Sequence, residues 1–135
     1  MKYLFFDIEC ADGGKATICS FGYVIADMDF KIIKREDIIM NPEGHFFLTG
    51  RAGRPDVPLA YPKETFFRSP KFPKFHSKLK ALLENEEYYI IGHSIGDDVN
   101  YLNKACARYG LEPFNFSYFD TQRMHRELSG NNKSI

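Results

Sequence analysis

The stretch YLFFDIE, residues 3–9, decides the fold of this chain, because a run of apolar residues leads directly into two acids. Aromatic and branched residues in such a run are typical of a β-strand. Side chains alternate along a strand, so Asp7 and Glu9 share one face while Ile8 points to the other. Two carboxylates about 7 Å apart along a strand can converge on a divalent cation. The same pair also fits a solvated strand end, and later residues have to decide between the two interpretations.

The composition predicts one soluble, folded domain. The chain has 135 residues, 44% hydrophobic and 27% charged, with a formal net charge of +0. That length is enough for a sizeable core, and the balance of residues argues against disorder. No stretch approaches the roughly 20 apolar residues of a membrane span, and acids follow the first apolar run, unlike a secretory signal. Three widely spaced cysteines without a C-x-x-C pair predict reduced thiols in a cytoplasmic protein.

A change in the hydrophobic period separates strands from helices. Alternation predicts strands in the first part of the chain, and helical spacing begins after Pro73. The predicted strands are residues 2–8, 17–27, 30–40, 88–91 and 115–119, and the predicted helices are residues 75–85, 97–109 and 122–128. The order βββαβαβα predicts an α/β domain whose mixed five-stranded sheet is flanked by helices.

A long loop is predicted for residues 41–72, which are rich in proline and glycine. Loops of this length inside a compact domain are usually functional or mobile. Between residues 51 and 80 there are eight Lys or Arg against two acids. Aromatic residues among cations suit stacking on bases and pairing with phosphates, although the same aromatics can simply anchor a loop to the core. The residues concerned are Phe46, Phe47, Phe66, Phe67, Arg51, Arg54, Arg68, Lys71 and Lys74.

A second acidic cluster joins a predicted buried strand to a helix, in the stretch GHSIGDD at residues 92–98. On that helix Asp98 recurs with Leu102 and Cys106 at i, i+4 and i+8, so its side chain is predicted to face the core. An inward carboxylate is costly unless it is paired or bound to a metal. An acid in the first turn of a helix is also stabilised by the helix dipole. The helix dipole is a sufficient explanation for an acid at position 97, and it remains an alternative explanation for Asp98.

Three stretches of the chain, which match the first two exonuclease motifs and a strand-end D-T, resemble in sequence and order the DEDD superfamily of 3′–5′ exonucleases, which has a ribonuclease H-like fold. The resemblance covers essentially all of residues 1–135 and is greatest to the proofreading exonuclease of bacterial DNA polymerase III and the ribonuclease T group. It places the metal-binding aspartate of the second motif on Asp98, in agreement with the helical face. The matching stretches are FDIE at 6–9 with ICSFG at 18–22, GHSIGDD at 92–98 continuing to YL at 101–102, and FDT at 119–121, whose aspartate is usually structural.

The chain departs from the family pattern in its second motif and in lacking the third. Ser94 stands where asparagine is frequent and Asp97 where an aromatic residue is usual, and neither change removes a metal ligand. The third motif normally brings a His or Tyr and the fourth metal-binding aspartate from a later helix. We therefore expect a domain truncated before its C-terminal helices, and Ser134 is typical of the N-cap of a further helix.

The resemblance implies a metal-dependent exonuclease that releases nucleotides from the 3′ end of single-stranded DNA or RNA. It implies that Asp7, Glu9 and Asp98 are the catalytic residues and hold two Mg²⁺ or Mn²⁺ ions, which prefer hard oxygen ligands. His93 lies at a strand-to-loop junction and is not expected to be the general base. A polymerase or a repair protein is the kind of partner implied. The sequence does not distinguish between these two partners, and it does not indicate an oligomeric state. The expected substrate contacts are Cys10, Ala11, His93 and Tyr101.

Two other classes of protein fit parts of the pattern. A nuclease-like module without catalysis would bind nucleic acid or a partner protein, and it would lack metal-dependent hydrolysis. A phosphatase or phosphotransferase of the haloacid dehalogenase type also carries acids after its first strand, in the pattern D-x-D-x-T. Here the second acid is Glu9, followed by Cys10, and no downstream lysine motif is evident, which argues against that class.

Overall fold

A computed structural model describes residues 1–47 and 59–129 of the chain. The strands lie in the order β3-β2-β1-β4-β5. β1 and β3 are antiparallel to β2, whereas β4 is parallel to both β1 and β5. This mixed five-stranded sheet with flanking helices confirms the predicted α/β, ribonuclease H-like fold. The elements are β1 (Lys2–Cys10), β2 (Ile18–Ala26), β3 (Ile32–Ile39), α1 (Lys63–Phe67), α2 (Phe72–Leu83), β4 (Tyr88–Gly92), α3 (Ile95–Arg108), β5 (Phe119–Asp120) and α4 (Thr121–Ser129).

The alternation of β1 separates the core from the candidate site. Leu4, Phe6 and Ile8 are buried and belong to the main hydrophobic cluster, whereas Asp7 and Glu9 on the other face are exposed. The same cluster contains residues of both long helices, which therefore pack on the Leu4 face of the sheet. Its helical members include Phe72, Leu79, Leu83, Leu102, Ala105 and Cys106.

Several element boundaries differ from the predicted ones. The segment predicted as a loop contains the short helix α1, and α2 already begins at Phe72, with a proline in its first turn where no backbone N–H is needed. β5 spans only two residues, because the stretch before it is irregular. Arg51, Arg54 and the predicted N-cap at Ser134 lie outside the described residues.

The start of α3 depends on the aspartate of the FDT motif. Ser94 adopts a left-handed conformation with φ of 53°, and α3 begins at the next residue, two positions earlier than predicted. The Asp120 Oδ1 atom accepts the N–H of Ser94 at 3.0 Å and that of Gln122 at 2.9 Å. One carboxylate thus joins the end of β5 to the start of α3, which is the structural role predicted for this position.

Two further features of the described residues concern membrane spans and cysteines. None of the helices within residues 1–47 and 59–129 is both long and apolar enough to cross a membrane. The three cysteines, Cys10, Cys19 and Cys106, are free thiols.

A hydrogen-bonded clamp joins β2, β3 and α2. The Tyr23 hydroxyl donates to Glu36 Oε1 at 2.5 Å, and Lys78 donates to Glu36 Oε2 at 2.6 Å. Tyr23 is 4% exposed, and burial followed by the bond to Glu36 raises the pKa of Tyr23 to about 12. The phenol therefore stays a donor throughout the neutral range.

We expect Tyr23→Phe to lower the free energy of unfolding by about 1 kcal/mol, because a single hydrogen bond contributes this much and the ring is kept. Urea unfolding followed by circular dichroism measures the change. Tyr118→Phe is the control, since Tyr118 is 40% exposed and exposed substitutions usually stay within about 0.5 kcal/mol. Equal losses of unfolding free energy in the two variants would show that the hydrogen bond from Tyr23 to Glu36 does not stabilise the domain.

Candidate active site

The first part of the candidate site is the carboxyl-terminal half of the central strand. Asp7 and Glu9 lie side by side on the exposed face of β1. Across the antiparallel pair Asp7 is opposite Gly22 and Glu9 is opposite Ser20, so only small residues flank the two carboxylates on that side. The carboxyl ends of the parallel strands β1 and β4 meet at one edge of the sheet, where ligands of open α/β sheets commonly bind.

The second part of the site is Asp98, in the first turn of α3. Its side chain is buried, at 9% exposure, as the helical spacing predicted. Burial first, and then the negative charges of Asp7 and Asp97, raise the pKa of Asp98 to about 7, while a hydrogen bond from the Ile8 amide acts in the opposite direction. No cationic side chain of the described residues is among these influences. Within the part of the chain that the structure describes, Asp98 is therefore a buried carboxyl group held against β1 without a compensating positive charge.

The structure brings the three predicted ligands together in pairs. Asp7 is close enough to Asp98 to raise its pKa, and Asp7 and Glu9 line one cavity. Within residues 1–47 and 59–129, however, no group of three or more His, Cys, Asp or Glu is gathered closely enough to hold a metal ion. The arrangement is two overlapping carboxylate pairs that share Asp7, and their role as metal ligands stays a prediction.

Cys10 and Tyr101 lie close to the pair formed by Asp7 and Asp98. Burial raises the pKa of the Cys10 thiol to about 12, and the charge of Asp98 adds to the shift. The pKa of Tyr101 is also raised, by burial and then by Cys10, Asp97 and Asp98. The Tyr101 hydroxyl is 3.7 Å from where a Cβ on Gly13 would be, so it borders the turn that follows β1. A substrate contact to either residue stays a prediction that this placement is consistent with.

Ala11 and His93 are placed differently. Ala11 is 0% exposed, its N–H donates to Thr17 O at 2.8 Å, and its carbonyl oxygen accepts the N–H of Phe47 at 2.7 Å. Both backbone groups are used within the protein, and Ala11 supports the turn after β1. His93 is exposed at the end of β4, and its Nδ1 atom lies 3.1 Å from Thr121 Oγ1. This contact keeps His93 at the β4–α4 junction, and whether it touches substrate stays untested.

The aromatic residues of the predicted loop divide between two roles. Phe66 is 1% exposed and its ring centroid lies 5.5 Å from that of Phe46, so these two anchor the segment. Phe67 packs on Phe46 as well, yet it is 47% exposed, and Phe47 is 65% exposed. The anchoring interpretation therefore describes Phe66, while Phe47 and Phe67 leave ring surface accessible for stacking.

Sequence reasoning missed a group of residues on the same face as Asp7 and Glu9. An open cavity of about 190 Å³ lies there, and Asp37 of β3 and Tyr61 before α1 line it. The Tyr61 hydroxyl donates to Asp37 Oδ2 at 3.2 Å. Alternation along β3, combined with the hairpin register, carries a signal for Asp37, since both Asp7 and Asp37 pair with Gly22. No local pattern indicates Tyr61, which is 24 residues away from its partner.

The sheet order and the flanking helices define a ribonuclease H-like α/β domain with the fold of known exonucleases. The zinc-bound complex of E. coli exonuclease I with single-stranded DNA has a TM-score of 0.71 and 16% identity over 95% of this chain and 29% of that chain. E. coli exonuclease I in complex with a dA16 oligonucleotide has a TM-score of 0.67 and 14% identity over 95% of this chain and 30% of that chain. An ExoI/SSB-Ct complex has a TM-score of 0.69 and 14% identity over the same shares of the two chains.

The likeness to exonuclease I is a likeness of fold. At 14 to 16% identity it carries no assignment of individual residues. The present chain spans about 30% of the length of the exonuclease I chains to which it is similar. No protein-family profile matches the sequence, and no curated protein matches it in a sequence comparison.

Proposed function

We propose that this domain is a metal-dependent 3′–5′ exonuclease acting on single strands, with Asp7, Glu9 and Asp98 as its catalytic carboxylates. The observation that carries the proposal is the burial of Asp98 beside β1, where the charge of Asp7 raises its pKa and no cation of the described residues is among the influences on it. Such a carboxyl group is costly in a purely structural role and is typical of functional sites. The fold supports the class, because solved complexes of exonuclease I with a similar domain contain single-stranded DNA.

The residues present fit Mg²⁺ or Mn²⁺. The donor set consists of carboxylate oxygens, which hard divalent cations prefer, and water and substrate phosphate complete the coordination of such ions. A cation between Asp7 and Asp98 would also offset the charge repulsion that raises the pKa of Asp98. When bound, two ions supply activation of the attacking water and stabilisation of the leaving 3′ oxygen.

The protein's own side chains have three tasks in this proposal. Asp7 is shared by both carboxylate pairs and would help to hold both ions, while Glu9 and Asp98 would each help to hold one. Asp98 has to lose its proton, and because its pKa is about 7, metal binding becomes stronger as the pH rises through that value. In hydrolysis a water molecule loses a proton and its oxygen forms a bond to phosphorus, the bond from phosphorus to the 3′ oxygen breaks, and the 3′ oxygen takes up a proton.

The general base is proposed to come from a third motif in further chain beyond residue 135. Among the described residues, His76 contacts the carbonyl oxygen of Glu112 and His93 contacts Thr121. Neither contact involves Asp7, Glu9 or Asp98. We also propose that the domain belongs to the group of polymerase III proofreading exonucleases and ribonuclease T. Its proposed substrate is DNA or RNA, its proposed partner is a polymerase or repair protein, and its proposed location is the cytoplasm.

The second candidate function is a binding module with a nuclease fold and no catalysis. One observation favours it, namely that no three ligating side chains of the described residues are gathered at one point. Such a module would bind a single strand or a partner protein with or without a divalent metal. It would release no nucleotides.

We expect metal-dependent release of mononucleotides from 3′-labelled single-stranded DNA or RNA, and we expect Asp7→Asn to reduce the rate at least about a hundredfold. The physical reason is that losing the shared ligand removes several kcal/mol of transition-state stabilisation. The assay compares Mn²⁺ with EDTA, for this chain and for a C-terminally extended version. Asp29→Asn, an isosteric change in the exposed turn after β2, is the matched control. Strand binding without release by either version would replace the proposal by the binding module.

A further inference from the structure

The cavity beside the carboxylates lies over Gly22, in the middle of three strands. Gly22 of β2 pairs with Asp7 of β1 on one side and with Asp37 of β3 on the other. Neighbouring strands are about 4.8 Å apart, so the two aspartates stand about 10 Å apart across the glycine. The cavity is about 190 Å³ and open to solvent. A single nucleotide is long enough to bridge this span, with its 5′-phosphate on the Asp7 side.

Gly22 creates the space, and Asp37 borders it. A Cβ atom added at Gly22 would lie 3.6 Å from Asp37 Oδ1, so this oxygen stands directly over the position that lacks a side chain. The other oxygen, Oδ2, accepts the Tyr61 hydroxyl at 3.2 Å. Tyr61 therefore orients the Asp37 carboxylate and leaves Oδ1 as a hydrogen-bond acceptor at the cavity wall.

The charge of the lining selects what can enter. Asp7, Glu9 and Asp37 line the cavity, and it has no Lys, Arg or His among its described lining residues. An anionic group placed at the Asp37 end would meet a carboxylate with no compensating cation among the described lining residues, and the two like charges would repel each other. A neutral group that donates a hydrogen bond would instead satisfy Oδ1.

We propose that Asp37 is a specificity-determining residue that accepts a hydrogen bond from the terminal sugar hydroxyl of the 3′ nucleotide and rejects a 3′-terminal phosphate. This inference rests on the proposed function, because it takes the scissile phosphate to lie at Asp7 and Glu9. Tyr61 is the positioning residue for the Asp37 carboxylate, and Gly22 leaves room for the sugar.

The test uses two single-stranded oligonucleotides of the same sequence, one ending in a 3′-hydroxyl and the other in a 3′-phosphate. The wild-type chain, in the longest form that is active, is expected to trim the hydroxyl end at least about tenfold faster than the phosphate end. Asp37→Asn is expected to reduce that ratio about tenfold, since the amide removes the charge and can donate to a phosphate oxygen. Asp29→Asn makes the same change of charge in an exposed turn and is expected to leave the ratio unchanged.

A second variant probes the same space without altering charge. Gly22→Ala places a methyl group in ordinary van der Waals contact with Asp37 Oδ1, so the strand is expected to fold. It is expected to raise KM for the hydroxyl end several-fold, with kcat changed less, because the methyl group occupies the sugar position. Thermal unfolding of each variant checks that the domain is intact.

The outcomes separate this inference from the proposed function. Trimming with equal rates on both ends, or an equal change of ratio in Asp37→Asn and Asp29→Asn, would overturn the role of Asp37 and leave the exonuclease standing. If neither end is trimmed, the exonuclease proposal fails. Calorimetry with Mn²⁺ then decides between binding of a nucleoside 5′-monophosphate and of the 3′,5′-bisphosphate. Selective binding of the monophosphate would support the Asp37 assignment, and equal binding or no binding of the two would reject it.

Discussion

Asp98→Asn is expected to abolish metal-dependent trimming and, at the same time, to stabilise the metal-free domain at pH 8. The loss of activity should be at least about a hundredfold, because the variant lacks a charged ligand for a divalent cation. The gain in stability follows from the surroundings of the side chain, which is buried beside Asp7 and has its pKa raised to about 7. A neutral amide of the same shape avoids the burial of a negative charge next to another.

The sign of the pH dependence follows from the two states of the Asp98 carboxyl group. In the unfolded chain its pKa is near the ordinary value of 3.8, whereas in the folded domain it is about 7. The folded state therefore binds more protons between these values, so this group makes the wild type progressively less stable as the pH rises from about 4 through 7. Asp98→Asn lacks this dependence, so the difference in Tm between the two proteins should be small at pH 4 and largest at pH 8.

Thermal unfolding with and without Mn²⁺ tests both halves of the prediction. At pH 8 the wild type should have the lower Tm without metal and should be stabilised by Mn²⁺, since a ligand that binds only the folded state raises its stability. The variant should show no such shift. Asp29→Asn is the control, because it makes the same change of charge in the exposed turn after β2. A variant that keeps full activity would remove Asp98 from the catalytic set.

Phe21→Ala is expected to have the largest effect on stability, a loss of about 3–5 kcal/mol. Phe21 is 0% exposed at the centre of the sheet, and its ring stacks on Phe6 with centroids 5.0 Å apart. Truncation leaves a cavity in the core between the strands and the helices. Domains of this size are stable by only about 5–15 kcal/mol, so the variant should lose a large part of its total stability.

Urea unfolding measures the effect of Phe21→Ala, and Phe119→Ala serves as the control. Phe119 is 53% exposed at the edge strand β5, so removing its ring should cost less than about 1 kcal/mol. Phe21→Ala without measurable destabilisation would show that β2 does not pack as the structure has it. A change in the urea m-value would indicate that the variant alters the compactness of the unfolded or native state.

The sequence was sufficient to predict which face of its own strand or helix each site residue occupies. The alternation in YLFFDIE placed Asp7 and Glu9 opposite Leu4 and Ile8, and the spacing on α3 placed Asp98 inward, as the structure has them. These assignments succeed because the period of side-chain direction is local to a strand or a helix. The resemblance to exonucleases rests on the same local stretches, and the fold it implied is the one observed.

The boundaries that failed have a different cause. Residues 115–119 were predicted as a strand, yet only Phe119–Asp120 pair with β4. The helix α1 was not predicted, because its five residues, KETFF, are too short to show a helical period. Short elements like these are held by contacts from elsewhere in the chain, such as the packing of Phe46 on Phe66.

The sequence by itself determined the class of fold, the exposed pair on β1 and the inward direction of Asp98. Only the tertiary structure decided that the charge of Asp7 reaches Asp98, that Asp37 stands across Gly22, and that Tyr61 reaches Asp37 from outside the sheet. The physical reason is that hydrophobic periodicity specifies which way a side chain points within its own element. The distance between side chains of different elements depends on strand register and helix packing, which are set by the core as a whole.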